Sequence, residues 1–120
     1  MGVQLAALAV NPDSLRAMRW VEANRPLLNT DAEAAKVYLD SLHDFLAIHP
    51  ELLRPAAEYN KQIGIYYYRS SLYDSAFVHY RKSFSEFQSL KESLESAKVL
   101  VNMSMIYNRQ GAWDSTIVYA

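Results

Sequence analysis

The stretch that decides the fold is Ile63-Gly64-Ile65-Tyr66-Tyr67-Tyr68-Arg69, which leads through Tyr73-Asp74-Ser75-Ala76 to Tyr80. Forty residues later the chain runs Met103-Ser104-Met105-Ile106-Tyr107-Asn108-Arg109 and continues through Trp113-Asp114-Ser115-Thr116 to Ala120. The pairs that are identical are Tyr67/Tyr107, Arg69/Arg109, Asp74/Asp114, Ser75/Ser115 and Val78/Val118. A period of this length is typical of a solenoid, in which one supersecondary unit stacks on the next. We therefore predict an all-α solenoid.

Composition narrows the class of protein further. The 120 residues are 51% hydrophobic and 21% charged, as in a folded domain, and one domain is expected over 1–120. Twelve basic and thirteen acidic residues give a net charge of −1, so binding of nucleic acid by this segment is not expected. The absence of cysteine excludes disulfides and thiolate metal sites. No apolar run reaches the roughly 18 residues that a membrane span requires.

The apolar N-terminal stretch at residues 3–10 has two interpretations. It resembles the end of a secretory signal, although it lacks a basic start. It also fits a helical lead-in that packs on the first repeat. The compartment, cytoplasmic or periplasmic, therefore stays open.

Helical spacing of apolar residues predicts six helices. The first, capped by Asp13 or Ser14, is interrupted before Pro26, and the second follows the cap signal at Asp31. Gly111 stands where a helix should stop in a left-handed conformation, and Ser71 holds the equivalent place one repeat earlier. The predicted helices cover residues 13–24, from just after Asp31 to about 49, from 53 or 55 to 69, 73–90, 93–110 and 113 onward. Because the last has no partner to cover it, we expect a fragment of a longer array.

The spacing resembles the signature of the tetratricopeptide repeat (TPR) family. Gly64, Tyr67, Ala76 and Tyr80 match its Gly, Tyr, Ala and aromatic positions, and Tyr107 and Gly111 match in the second copy. Asn60 and Gln88 replace the usual Trp and Pro. The resemblance implies a right-handed superhelix of helical hairpins: a degenerate repeat at about 13–50, a repeat at about 55–92 and a partial repeat at about 93–120. The 40-residue period is similar to the longer-helix variant of bacterial sensor and regulator proteins.

The resemblance also implies a function. The first helix of each TPR unit lines a concave groove that binds a peptide or protein segment, which makes this chain a non-catalytic interaction module and the partner-sensing part of a larger signalling protein. Arg69 and Arg109, repeated in register, are suited to carboxylates on such a ligand. The residues expected in the groove are Lys61, Ile65, Tyr68, Arg69, Asn102, Met105, Asn108 and Arg109.

Two alternatives stand beside that expectation. The chain is suited to a structural spacer or dimerisation arm with no groove ligand, and homo-oligomers are expected through an exposed terminal repeat. An enzyme is disfavoured, because no nucleophile elbow, phosphate loop or metal-ligand spacing of His43, His49 and His79 is present. The carboxylate pairs Asp40/Asp44 and Glu92/Glu95 fit solvated helix faces, and no cofactor or metal is expected.

Overall fold

The computed structural model describes residues 11–110, except for the side chain of Gln110, and every regular element within that range is a helix. The all-α prediction is therefore confirmed for these residues. The sixth predicted helix, Gly111 and the segment at residues 3–10 lie outside the described residues. The helices are α1 (Pro12–Asn24), α2 (Leu27–Thr30), α3 (Ala32–Ala47), α4 (Leu53–Arg69), α5 (Tyr73–Ser89) and α6 (Ser93–Gln110).

Two side-chain caps set the starts of α1 and α3. The Asp31 carboxylate accepts a hydrogen bond from the Ala34 backbone nitrogen at 3.1 Å, as the sequence predicted. The prediction of Asp13 or Ser14 as the first cap is wrong. Asn11 caps α1 instead, and its Oδ1 accepts a hydrogen bond from the Asp13 nitrogen at 2.8 Å. The helix begins earlier in the chain than predicted because Pro12 suits the first helical position.

The break at Pro26 is shorter than the sequence indicated. Helix α1 ends at Asn24 and is followed by α2, a single helical turn that the apolar periodicity of the sequence did not predict. Proline fixes a backbone angle that suits the beginning of a helix, so Pro26 stops one helix and starts another. This short turn places Leu28 in the core.

Both turns after α4 contain a residue in the left-handed conformation. Ser71 has a φ of 63°, as predicted from its equivalence to Gly111 in the forty-residue repeat of the sequence. Lys91 has a φ of 59°, which was not predicted. The Leu72 nitrogen donates to the Tyr67 carbonyl at 2.8 Å, and the Glu92 nitrogen donates to the Phe87 carbonyl at 2.9 Å. These bonds define Schellman motifs, which turn the chain back after each helix.

The core consists of three clusters that share side chains. The buried members of the first are Ala17, Val21, Leu42 and Leu52; of the second, Leu28, Ala35, Leu39 and Ile63; and of the third, Ala57, Ala76, Tyr80, Phe87, Val99 and Ile106. Tyr59 packs against both the first and the second cluster, and Ile65 and Tyr67 pack against both the second and the third. Apolar contact is therefore continuous along the described chain.

The closest packing is between α4 and α5. A Cβ added to Gly64 would lie 2.6 Å from two ring carbons of Tyr80, so only glycine admits that ring. Beside this contact the Ser83 hydroxyl donates to the Ala57 carbonyl at 2.8 Å in the buried interior. Tyr67, which matches the Tyr position of the TPR signature, is only partly buried and packs against the cluster that contains Tyr80.

We predict that Ser71→Gly and Lys91→Gly each stabilise the protein. A left-handed conformation costs a residue with a Cβ about 1 kcal/mol, and glycine removes that cost at both turns. Chemical denaturation should show a higher midpoint for both variants. Ser70→Gly is the control, since its φ of −88° needs no glycine. An equal gain from Ser70→Gly would contradict the explanation.

Gly64→Leu should destabilise the protein by about 1–3 kcal/mol, because the new side chain must displace the Tyr80 ring. The free energy of unfolding from urea titration measures this. Ser104→Leu is the matched control one repeat on, where the side chain is exposed and a change within about 0.5 kcal/mol is expected. Equal losses at the two positions would show that close packing is not the cause.

Candidate protein-binding site

Three of the predicted groove residues line one surface pocket. The end of α4 supplies Tyr68 and Arg69, the end of α6 supplies Arg109, and Ser71 and Tyr73 complete the wall. The pocket has a volume of about 260 Å³. Residues forty positions apart in the sequence thus meet because α4 and α6 contact each other as well as α5.

The pocket combines an aromatic wall with two cations. The Tyr68 and Tyr73 ring centroids lie 5.5 Å apart, and the Arg109 guanidinium carbon lies 6.0 Å from the Tyr68 ring. Both arginine side chains are exposed. An arginine held against a tyrosine face keeps its N–H groups directed outward for a ligand. Such a site is suited to an anionic group, a carboxylate or phosphate.

The remaining predicted groove residues are placed elsewhere. Lys61 is only 13% exposed, because its ammonium lies 3.5 Å from Glu58 and 3.2 Å from Glu95. Ile65 packs into the core, whereas Met105 and Asn108 are exposed on α6 and Asn102 is half-buried there. None of these side chains lines the pocket around Tyr68.

Tyr107, which the resemblance makes a repeat position, is located differently from its counterpart Tyr67. Tyr107 is 61% exposed and meets Phe77 edge-on, with ring centroids 5.7 Å apart. Its counterpart Tyr67 is partly buried and stacks on the His79 ring at 5.6 Å. Tyr107 therefore contacts the preceding helix α5 through one edge and presents the rest of its surface outward.

Charged contacts that the sequence analysis did not identify join α1, α4 and α6. The Arg25 guanidinium lies 3.9 Å from the Glu58 carboxylate, and Lys61 reaches Glu95 at 3.2 Å. We call the set Glu22, Arg25, Glu58, Lys61, Glu95 and Lys98 the charge ladder. In the sequence, each step of the ladder is a Glu followed three residues later by Arg or Lys, at positions 22, 58 and 95; the same spacing also occurs at 33 and 51, so it does not by itself identify the ladder.

The ladder alters the titration of Glu95. Burial raises the pKa of this carboxyl, but the hydrogen bonds and charges of Lys61 and Lys98 outweigh burial and hold the pKa below its usual value. Glu95 therefore stays ionised in the folded chain at neutral pH. Its contribution to stability is present above the ordinary Glu pKa and is lost as the pH falls through the lowered one.

A buried polar contact accompanies the ladder between α1 and α4. The Asn24 amide donates to the Gln62 side-chain oxygen at 3.1 Å, and the Gln62 amide donates to the Val21 carbonyl at 2.9 Å. Both side chains are buried, so these bonds fix the register of the two helices, because a slip would leave the amides unpaired.

The carboxylates considered for acid–base chemistry are held in ion pairs. Asp40 pairs with Lys36 at 2.6 Å, and Glu92 pairs with Arg54 at 2.6 Å. Within residues 11–110 no group of three His, Asp or Glu side chains is arranged to hold a metal ion. None of the helices in that range is long and apolar enough to cross a membrane.

His79 belongs to a half-buried polar cluster between α4 and α5. Its Nδ1 lies 3.0 Å from the Asn60 side-chain oxygen, and the Asn60 amide donates to Glu86 at 2.7 Å. Burial, with smaller effects of Lys82 and His43, lowers the pKa of His79. The neutral ring is therefore the form that the cluster accepts.

No family model matches the chain, and no curated protein or solved structure is significantly similar to it.

We predict that protonation of His79 destabilises the fold. The folded chain favours the neutral form of His79, because the pKa of His79 in the fold lies below the ordinary value of about 6.5. The contribution of the neutral ring to stability is therefore complete above about pH 6.5 and is lost as the pH falls from there toward the lowered pKa. The melting temperature should fall from about pH 7.5 to about pH 5.5, and less steeply in His79→Gln. His43→Gln, an exposed control, should keep most of the wild-type slope. Identical slopes in all three proteins would exclude His79 as the cause.

Proposed function

We propose that this chain is a non-catalytic protein-interaction module built as a TPR-like solenoid. Contacts between successive helices support the solenoid, as does the additional contact of α4 with α6. Residues 70–72 and 90–92 connect helices of similar length, and such short connections favour antiparallel hairpins. The contact of Gly64 with Tyr80 occurs at positions that resemble the small and aromatic positions of the TPR signature.

The observation that carries the binding proposal is the convergence of Arg69 and Arg109 beside Tyr68 on one pocket. Two guanidinium groups in one small concavity attract negative charge, and the Tyr68 and Tyr73 rings offer apolar surface to a neighbouring side chain. A peptide that presents a carboxylate beside an apolar residue fits this chemistry. We place the module in a larger signalling or regulatory protein, in keeping with the resemblance to bacterial sensor regions.

The experiment compares two peptides that differ only in charge. One ends in an aromatic residue followed by Glu-Asp with a free carboxylate, and the other ends in the same aromatic followed by Gln-Asn with an amide. The acidic peptide should bind at least about tenfold more tightly by fluorescence anisotropy, because hydrogen bonds to charged groups contribute about 1.5–3 kcal/mol each. Replacing Arg69 and Arg109 by Gln should remove that difference.

The control for this experiment is Arg81→Gln, an exposed arginine on α5 outside the pocket. It changes net charge without touching the proposed site and should leave the preference for the acidic peptide intact. Circular dichroism should show all variants folded. A preference that is equally reduced by Arg81→Gln would reflect general electrostatics and not a site.

A structural spacer or dimerisation arm is the second candidate. The observation that favours it is the placement of Lys61, a predicted groove residue, inside the contact of α4 with α6. Part of the surface expected to bind a ligand is thus used for packing between repeats. Failure of the wild-type chain to distinguish the two peptides would favour this candidate.

A further inference from the structure

The charge ladder has a direction. In both contacts the cation comes earlier in the chain than the carboxylate: Arg25, the residue that follows α1, faces Glu58 of α4, and Lys61 of α4 faces Glu95 of α6. Each carboxylate of the ladder also pairs with a cation three residues later in the chain. The middle helix of the ladder, α4, therefore presents its acid toward the end of α1 and its base toward α6.

The two ends of the ladder have complementary charges and are exposed. Glu22 on α1 is 60% exposed and, among the described residues, has an ion pair only with its own neighbour Arg25. Lys98 on α6 is 55% exposed and, within the same range, has an ion pair only with Glu95. The acid at one end and the base at the other lack the partners from a neighbouring helix that Glu58, Lys61 and Glu95 have.

The exposed base lies within an apolar stripe. Leu94, Val101 and Met105 are 69%, 59% and 41% exposed, and their spacing places them on the same face of α6 as Lys98. On α1, Leu15 is 45% exposed and stands seven residues before Glu22, two turns away on the same face. The α6 end therefore presents a charge within an apolar stripe, and the α1 end presents a charge on the same face as one exposed Leu; charge together with apolar surface is typical of helix–helix contacts.

From this arrangement we propose that the chain associates head to tail, with α6 of one copy stacked on α1 of a second copy and Lys98 paired with Glu22. The contact continues the ladder with the same polarity that it has within the chain. Because the two surfaces differ, the association is heterologous and builds chains or rings of more than two copies, not closed pairs.

A second copy is favoured over another occupant by its chemistry. Arg25 and Lys61 each meet a carboxylate that has a cation three residues later in the chain, and a carboxylate of this kind would match Lys98. The exposed Glu22–Arg25 pair at the end of α1 has this arrangement. The positive end of one copy therefore meets the negative end of the next.

Charge reversal at each end tests the proposal. Lys98→Glu places a carboxylate at both ends, and Glu22→Lys places a cation at both ends, so each variant alone should resist association. An equimolar mixture should recover it, because the carboxylate introduced at position 98 of one variant then meets the ammonium introduced at position 22 of the other. Sedimentation velocity over a series of concentrations measures the mean mass of each sample.

The wild-type chain should show a mean mass that increases with concentration beyond that of a dimer and falls as salt screens the charges. Each single variant should raise the apparent dissociation constant on the order of tenfold, since like charges then face each other. The mixture should again exceed the mass of a dimer, because the two variants can alternate along a chain in which every contact joins opposite charges. Lys82→Glu, an exposed reversal on α5, is the control and should associate as the wild type does.

Three results would overturn the proposal. One is a wild-type chain that stays monomeric at all concentrations, which would assign the α6 stripe to some other occupant. Another is association that ends at a dimer and is unchanged by either reversal, which indicates a symmetric contact. The third is a mixture that associates no better than its components. Unfolding curves of both variants confirm that lost association does not reflect a lost fold.

Discussion

The structure depends on the close approach of α4 and α5 at Gly64. Tyr80 fills the space that any larger side chain at this position would occupy, and that ring belongs to the same buried cluster as Ala76, Phe87, Val99 and Ile106. Since α6 packs on this cluster, its position depends on the crossing of the two helices before it. The position of Arg109 beside Arg69 at the candidate pocket therefore depends on the absence of a side chain at Gly64.

Apolar packing and polar contacts have different roles in joining α1, α4 and α6. Apolar clusters connected through Tyr59, Ile65 and Tyr67 bring the helices together by non-directional packing. The Asn24–Gln62 hydrogen bond and the contact of Lys61 with Glu95 require one alignment of the helices. This division explains why Lys61, which the family resemblance places in a groove, serves stacking here, and why the candidate pocket lies at the helix ends instead.

Most helix boundaries were predictable because their signals are local. Apolar spacing of 3.6 residues and the Asp31 cap gave five of the described helices to within about two residues, and Ser71 was identified as a left-handed turn. The errors occurred where two local signals compete. Asn11 took the cap expected at Asp13, and Pro26 began a helical turn where only an interruption was expected.

The sequence by itself determined the helical class, the repeat of forty residues and the need for glycine at position 64, because each follows from periodicity or from the size of one side chain. Only the tertiary structure decided which polar residues face one another. A Glu and a Lys at this spacing occur both on solvated helix faces and in interfaces, and the neighbouring sequence of Glu58 and Lys61 does not distinguish the two locations. Their burial follows from the alignment of α1, α4 and α6, and so does the convergence of Tyr68, Arg69 and Arg109. Distances across helices depend on packing that no single segment encodes.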